Sequence, residues 1–169
     1  VYLLNIPNIK PENIFATDID PIAVMIAKFN YFLRFPKAKV VNIFNEDFLS
    51  PDRKELNLKF DYIVTNPPWG ASATNTKKYP EIISGETFSC FLVEAHKTLK
   101  KSGQLRFLLP ESILNVKTHR DIRHYLLTNA DLVSIKMYAD LFSGVTTKYV
   151  ALTANYSGDT SEVEIDVAD

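Results

Sequence analysis

The chain has 169 residues, 46% of them hydrophobic and 12% aromatic, with 19 Lys plus Arg against 20 Asp plus Glu and a formal net charge of −1. That is enough apolar content for one globular core, which excludes a disordered chain, and no apolar run approaches the roughly 20 residues that span a bilayer. Balanced charge also excludes the strong global field of a self-sufficient nucleic-acid binder, so any such affinity is local or borrowed.

The start, Val1-Tyr2-Leu3-Leu4, lacks a methionine. It reads like the tail of an apolar helix in an excised domain, not like a signal peptide, because Asn, Pro and Lys follow at once. Asn13-Ile14-Phe15-Ala16-Thr17-Asp18 is then a short apolar run ending in an acid, the pattern of a buried parallel strand reaching its carboxyl edge. A helix should follow, with Asp20 as N-cap, Pro21 in the first turn, and Ile22, Met25, Ile26, Phe29 and Leu33 forming one apolar face until Pro36. Residues 40–44 and 60–65 read as further strands, closing on Asn45-Glu46-Asp47 and on Asn66-Pro67-Pro68-Trp69.

Residues 70–85 are rich in Ser, Thr, Asn and Lys without a period and read as a long exposed loop. Phe88, Phe91, Leu92, Ala95 and Leu99 mark the face of a second helix, with Lys97, Lys100 and Lys101 at its carboxyl end and Gly103 as its stop. Residues 104–109 form the next strand, and Thr118 with Asp121 resembles a capping box opening a helix through Leu127. Residues 132–138 and 149–156 read as two more strands. The connection between them has no helical pattern, so they should be antiparallel neighbours at one side of an otherwise parallel sheet.

Alternating strands and helices of this kind predict a doubly wound α/β domain, which binds ligands outside the carboxyl ends of its strands. Asp18 at such an end could bond the ribose hydroxyls of an adenosine-containing cofactor, or be a solvated turn acid before a capped helix. Asn66-Pro67-Pro68-Trp69 is more specific. Two prolines fix two φ angles and remove two backbone donors, leaving rigid carbonyl acceptors beside an amide oxygen and a flat ring. Such a set would hold a planar amine, the acceptors taking its two N–H bonds and the ring stacking on its face. The competing reading is a Pro-Pro turn with Trp69 packed in the core.

On these residues the chain resembles the S-adenosylmethionine-dependent amino-methyltransferases, specifically the adenine-N6 DNA methylases of restriction-modification systems. Thr17-Asp18-Ile19-Asp20-Pro21 is similar to the family's second motif, which implies that Asp18 binds the cofactor ribose and Ile19 packs on its adenine. Asn45-Glu46-Asp47-Phe48-Leu49 resembles the third, so Asp47 would accept from the adenine amine with Phe48 beside the ring. Asn66, Pro67, Pro68 and Trp69 resemble the catalytic tetrapeptide, and residues 91–110 match the stretch that follows it. Leu141-Phe142-Ser143-Gly144-Val145 resembles the late hairpin motif whose aromatic stacks on the flipped base, which places Phe142 opposite Trp69.

The resemblance therefore implies a Rossmann-like class I methyltransferase sheet, mostly parallel with an antiparallel strand near the C-terminal end, the whole of 1–169 being part of one catalytic domain. It departs from the family at the glycine-rich first motif. All five glycines, at 70, 85, 103, 144 and 158, lie elsewhere, so the N-terminal strand and cofactor loop are expected to be missing, as is the target-recognition domain. The implied cofactor is S-adenosylmethionine and the implied partners are DNA, with its target adenine flipped out, and a specificity domain or subunit. Lys77 and Lys78 could touch phosphate from the polar loop or simply solubilise it. An RNA-base or protein-glutamine methyltransferase, or an inactive binding module, stays open, although Trp69 followed by Gly70 looks more like the DNA enzymes. His96, His119 and His124 lack a metal-ligand constellation and read as solvated helix positions, so neither a metal nor a membrane is expected. Cys90, the one cysteine, cannot close an internal disulfide and reads as a small core residue in a cytoplasmic protein.

Overall fold

The structure, a computed structural model, describes residues 6–53, 58–72, 76–138, 148–156 and 163–168. They fall into two units, Val1–Leu56 and Asn57–Asp169. None of the described helices is long and apolar enough to cross a membrane.

The first unit is a strand, a helix and a strand. β1 (Phe15–Asp18) and β2 (Asn42–Asn45) pair in parallel, Phe15 opposite Asn42 and Asp18 opposite Asn45, with α1 (Pro21–Arg34) between them in sequence. As the sequence predicts, Pro21 opens α1 and the Asp20 carboxylate caps it, accepting from Ile22 N at 2.8 Å. The face that α1 buries is not the predicted one. Ile22, Met25, Ile26, Phe29 and Leu33 are between 54% and 66% exposed, whereas Val24 and Tyr31 join Ile14 and Ile43 in the core, with Ala27 and Phe35 packed against them. The helix is apolar around most of its circumference, so periodicity finds a stripe without saying which stripe meets the sheet. Tyr31 can be fully buried because its hydroxyl donates to Val40 O at 2.7 Å, which satisfies its polar end.

The second unit holds a five-stranded sheet in the order β3-β4-β6-β5-β7, made of β3 (Phe60–Thr65), β4 (Leu99–Pro110), β5 (Asp131–Tyr138), β6 (Tyr149–Asn155) and β7 (Glu164–Ala168). β6 is antiparallel to both neighbours, while β3 with β4 and β5 with β7 are parallel. The sheet is thus parallel apart from β6. The predicted antiparallel pairing of β5 with β6 is present, but β6 lies inside the sheet and β7, which has no counterpart among the predicted strands, lies at the edge. β7 is short and both Ile165 and Val167 are exposed, so it lacks the apolar signal of a buried strand.

The core of this unit is built by the alternation of β4, where Leu105, Phe107 and Leu109 are buried, by Val150, Leu152 and Ala154 of β6, and by α2 (Thr87–Thr98). α3 (Ser112–Asn115) and α4 (Arg120–Asn129) follow β4. Three local expectations are corrected. α2 stops at Thr98, not at Gly103, and β4 begins at the next residue. Gly103 is required for a different reason: a Cβ there would sit 2.8 Å from Phe60 O on β3, so only glycine allows the strands this approach. Thr118 makes no capping bond to α4, and Asp121 instead accepts from Ile122 N and from Ser84 N, both at 2.7 Å.

Candidate functional site

In the first unit the carboxyl ends of β1 and β2 are laced together by Asn45. Its side-chain amide donates to Asp18 O at 3.0 Å and to Ile19 O at 2.9 Å, while Glu46 N donates to Asp18 O at 3.1 Å. This brings the two predicted cofactor-binding loops side by side. Asn45 was legible only as a strand-terminal polar residue; its role emerges from the register that sets it opposite Asp18. Asp18 and Asp47 are exposed and each spends one carboxylate oxygen on its own turn, Asp18 accepting from Asp20 N and Asp47 from Leu49 N, both at 2.9 Å. The other oxygen of each has no hydrogen-bond partner among the described residues. Ile19 is exposed beside them, and the Phe48 ring carries the Arg53 guanidinium 4.7 Å from its centroid. Two acceptors with a free oxygen, an exposed aliphatic side chain and an aromatic ring fit the hydroxyls, amine and flat base of an adenosine group.

In the second unit β3 delivers Asn66, Pro67, Pro68 and Trp69 at its carboxyl end. Asn66 and Pro68 are exposed, Pro67 is buried and Trp69 is partly buried. The turn continues through Gly70 at φ +67°, a left-handed conformation that explains the glycine after Trp69. Trp69 stands between the two readings that the sequence allows. Its ring packs against Tyr149 with centroids 5.2 Å apart and planes at 45°, and its Nε1 is buried without a partner among the described residues, yet the ring is not wholly covered. Asn66 keeps its amide at the surface next to an anchored proline, so an exposed acceptor sits on a fixed backbone.

The loop of residues 70–85 is not simply exposed. Tyr79 and Ile82 are buried, and the Tyr79 hydroxyl donates to the buried Glu94 carboxylate at 3.0 Å. Lys78 makes an ion pair with Glu94 at 3.2 Å, and Lys77 is exposed. The solvated reading holds for His124 and fails for His96 and His119, both buried. His96 Nε2 donates to Tyr156 O while Nδ1 lies 2.9 Å from the Tyr125 hydroxyl, so a helix position that looks polar in sequence becomes a satisfied core bond. Burial holds His96 below the ordinary imidazole range and pushes Tyr125 up to about 12. Cys90 is buried as expected, and burial first, then the Asp121 and Glu81 carboxylates, push its thiol up to about 11. No cluster of metal-ligating side chains occurs among the described residues. Phe142 lies outside the described residues.

The chain is similar to known proteins. It is 31% identical over 145 residues to the type II methyltransferase M.VspI of a Vibrio species, an alignment covering 82% of this chain and 35% of that protein. It spans about a third of the length of M.VspI and of a second type II methyltransferase, M.CvrRI of a Paramecium bursaria Chlorella virus. Among solved structures, the fold is similar to the methyltransferase subunit of a type I restriction-modification system from Streptococcus thermophilus, with a TM-score of 0.75 and 18% identity over 90% of this chain and 36% of that one. It is also similar to a Listeria monocytogenes protein assigned to the class I S-adenosylmethionine-dependent methyltransferases, with a TM-score of 0.72 and 14% identity over 90% of this chain and 48% of that one. The fold is therefore that of the class I methyltransferases. The model of the Eco57I restriction-modification methylases matches residues 12–142, a stretch that runs from the first strand past the tetrapeptide, and the chain belongs to that family.

Proposed function

We propose that these residues form part of a DNA methyltransferase that moves a methyl group from S-adenosylmethionine to the N6 amine of adenine. The observation that carries this reading is the Asn66-Pro67-Pro68-Trp69 turn at the carboxyl end of β3, with an exposed amide, a buried proline and a partly exposed indole in sequence. When bound, S-adenosylmethionine supplies an electrophilic methyl group on sulfur. Asp18 and Asp47 would hold its adenosine through their uncommitted carboxylate oxygens, the first at the ribose and the second at the adenine amine, with Ile19 and Phe48 flanking the base.

The target adenine would be flipped from the duplex, at a cost of a few kcal/mol of unstacking, and laid against Trp69, with Phe142 on its other face. The Asn66 side-chain oxygen and the Pro67 carbonyl accept from the amine, which draws the nitrogen out of conjugation with the ring and aims its lone pair. Positioning does most of the work, and the amine can lose its proton after the methyl arrives. Lys77 and Lys78 are the candidate phosphate contacts. Sequence reading and the glycine-rich turn that cradles the methionine end would come from other parts of the protein, a specificity domain or subunit in the first case.

The test is methyl transfer from labelled S-adenosylmethionine, by a protein of the relatives' length that carries these residues, to unmethylated DNA, RNA and protein offered separately, followed by digestion to nucleosides or amino acids. Label in N6-methyladenine supports the reading. Label in RNA or in a protein glutamine, with none in DNA, would transfer the same amine site to another substrate class. The 169-residue chain should bind S-adenosylmethionine far more weakly than the longer protein, because the first unit addresses only the adenosine half. Equal affinity by calorimetry would show that no cofactor contact lies outside it.

A further inference from the structure

Trp69 is the only tryptophan of the chain, and its surroundings restrict it from two directions. Its backbone is pinned downstream: Ala71 O accepts from both the Thr87 N–H and the Thr87 hydroxyl at 2.9 Å, and Ser72 forms an antiparallel bridge with Glu86. Upstream, β3 is held in parallel register on β4 as far as Thr65. What remains free is the rotation of the indole about its own side-chain bonds. No hydrogen bond sets that rotation, because the buried Nε1 has no partner among the described residues. Among the described residues, the ring contact that bears on it is with Tyr149, at 5.2 Å and 45°.

Tyr149 is well placed to act as a reference surface. It is 3% exposed and is the first residue of β6, in register with Pro110 of β4 on one side and Tyr138 of β5 on the other. Glu111 N donates to Lys148 O at 3.0 Å, which fixes the entry of the strand. Its ring therefore stands on the interior of a sheet, not on a loop.

We infer that Tyr149 is a positioning residue whose ring sets the plane of the Trp69 indole, so that the partly exposed indole offers the substrate amine one fixed wall. The inference rests on the proposed role of Trp69 as that wall. It requires an aromatic ring at position 149 and does not require the hydroxyl.

Excited at the red edge, where tyrosine does not absorb, the 169-residue chain reports Trp69 alone. Tyr149→Phe should keep the wild-type emission maximum and anisotropy. Tyr149→Leu and Tyr149→Met, which leave an apolar side chain in the sheet, should shift the emission to the red and lower the anisotropy while still melting cooperatively. Unchanged emission and anisotropy in those folded variants would overturn the inference, as would failure of Tyr149→Phe to preserve them. If neither Leu nor Met gives a cooperative fold, Tyr149 is a residue of the fold and the positioning role is likewise overturned. In a methyltransferase of the relatives' length, Tyr149→Leu should lower kcat roughly ten- to a hundredfold with KM for S-adenosylmethionine unchanged, and Tyr149→Phe should restore it. Should Trp69→Ala leave kcat unchanged, the proposed amine site fails, while the fluorescence still decides whether Tyr149 holds the indole. Loss of kcat in Trp69→Ala but not in Tyr149→Leu defeats the positioning role alone.

Discussion

Asn66 and Trp69 stand three residues apart on one turn but answer to different forces. Asn66 is exposed, so Asn66→Ala removes no core packing and should leave the melting midpoint unchanged. In a methyltransferase of the relatives' length that carries these residues, it should cost roughly 3 kcal/mol or more of transition-state stabilisation, the scale for losing one preorganised electrostatic group, with cofactor affinity retained. Wild-type turnover would remove Asn66 from the amine site. Trp69 is bound up with packing and, on the proposed function, with substrate. Trp69→Phe keeps a ring against Tyr149 and deletes a buried N–H that has no acceptor among the described residues, so stability should be equal or higher by up to about 1 kcal/mol. Trp69→Ala loses the ring contact and should lower both the melting midpoint and, beyond that, the turnover per folded molecule. Denaturant midpoints measured beside single-turnover rates separate the two losses.

At the scale of single elements, α1 offers a direct contrast between the stripe that periodicity picks and the stripe that packs. Tyr31 is fully buried and hydrogen-bonded to Val40 O, so Tyr31→Ala should cost about 3–5 kcal/mol, the range for emptying an aromatic core site. Met25→Lys and Phe29→Lys lie on the exposed side of the same helix, and each should change stability by less than about 0.5 kcal/mol. Chemical denaturation of the three variants decides which face the helix buries; a large loss in Phe29→Lys would return the predicted stripe to the core. The junction of α2 and β4 yields a second check. Gly103→Ala places a methyl 2.8 Å from a backbone oxygen that cannot swing aside, so it should destabilise by about 1–3 kcal/mol, the usual cost of overpacking. Thermal melting of the variant measures it.

Across the whole molecule, stability should carry the mark of His96. Burial lowers its pKa in the folded state, so below the ordinary imidazole value of about 6.5 the unfolded chain takes up a proton that the folded chain resists. Its contribution is fully present above that value and is lost as the pH falls from there toward the lower folded value. The slope in that window is at most about 1.4 kcal/mol per pH unit. His96→Gln should flatten the part of the urea-midpoint profile below about pH 6.5 that belongs to this group. An identical profile in wild type and variant would show that His96 is not kept neutral by the fold.

Much of the local structure was written in short-range chemistry. The Asp20-Pro21 start of α1, the strand ends at Asp18, Asn45 and Asn66, and the tetrapeptide turn depend on capping, φ restriction and polar groups at strand edges, all of which act over a few residues. The antiparallel pairing of β5 with β6 followed from the lack of a helical pattern in the sequence that joins them. Tertiary structure alone decided which side of α1 is buried, because that helix is apolar on more than one side and only its sheet selects among them. It also decided that Lys78, Glu94, His96 and Asp121 serve internal anchors: each looks like a surface residue until a partner distant in sequence satisfies it. Tyr149 belongs to the same class. Nothing within several residues of it points to Trp69, which lies 80 positions earlier, and only the strand order that sets β6 beside β4 brings the two rings together.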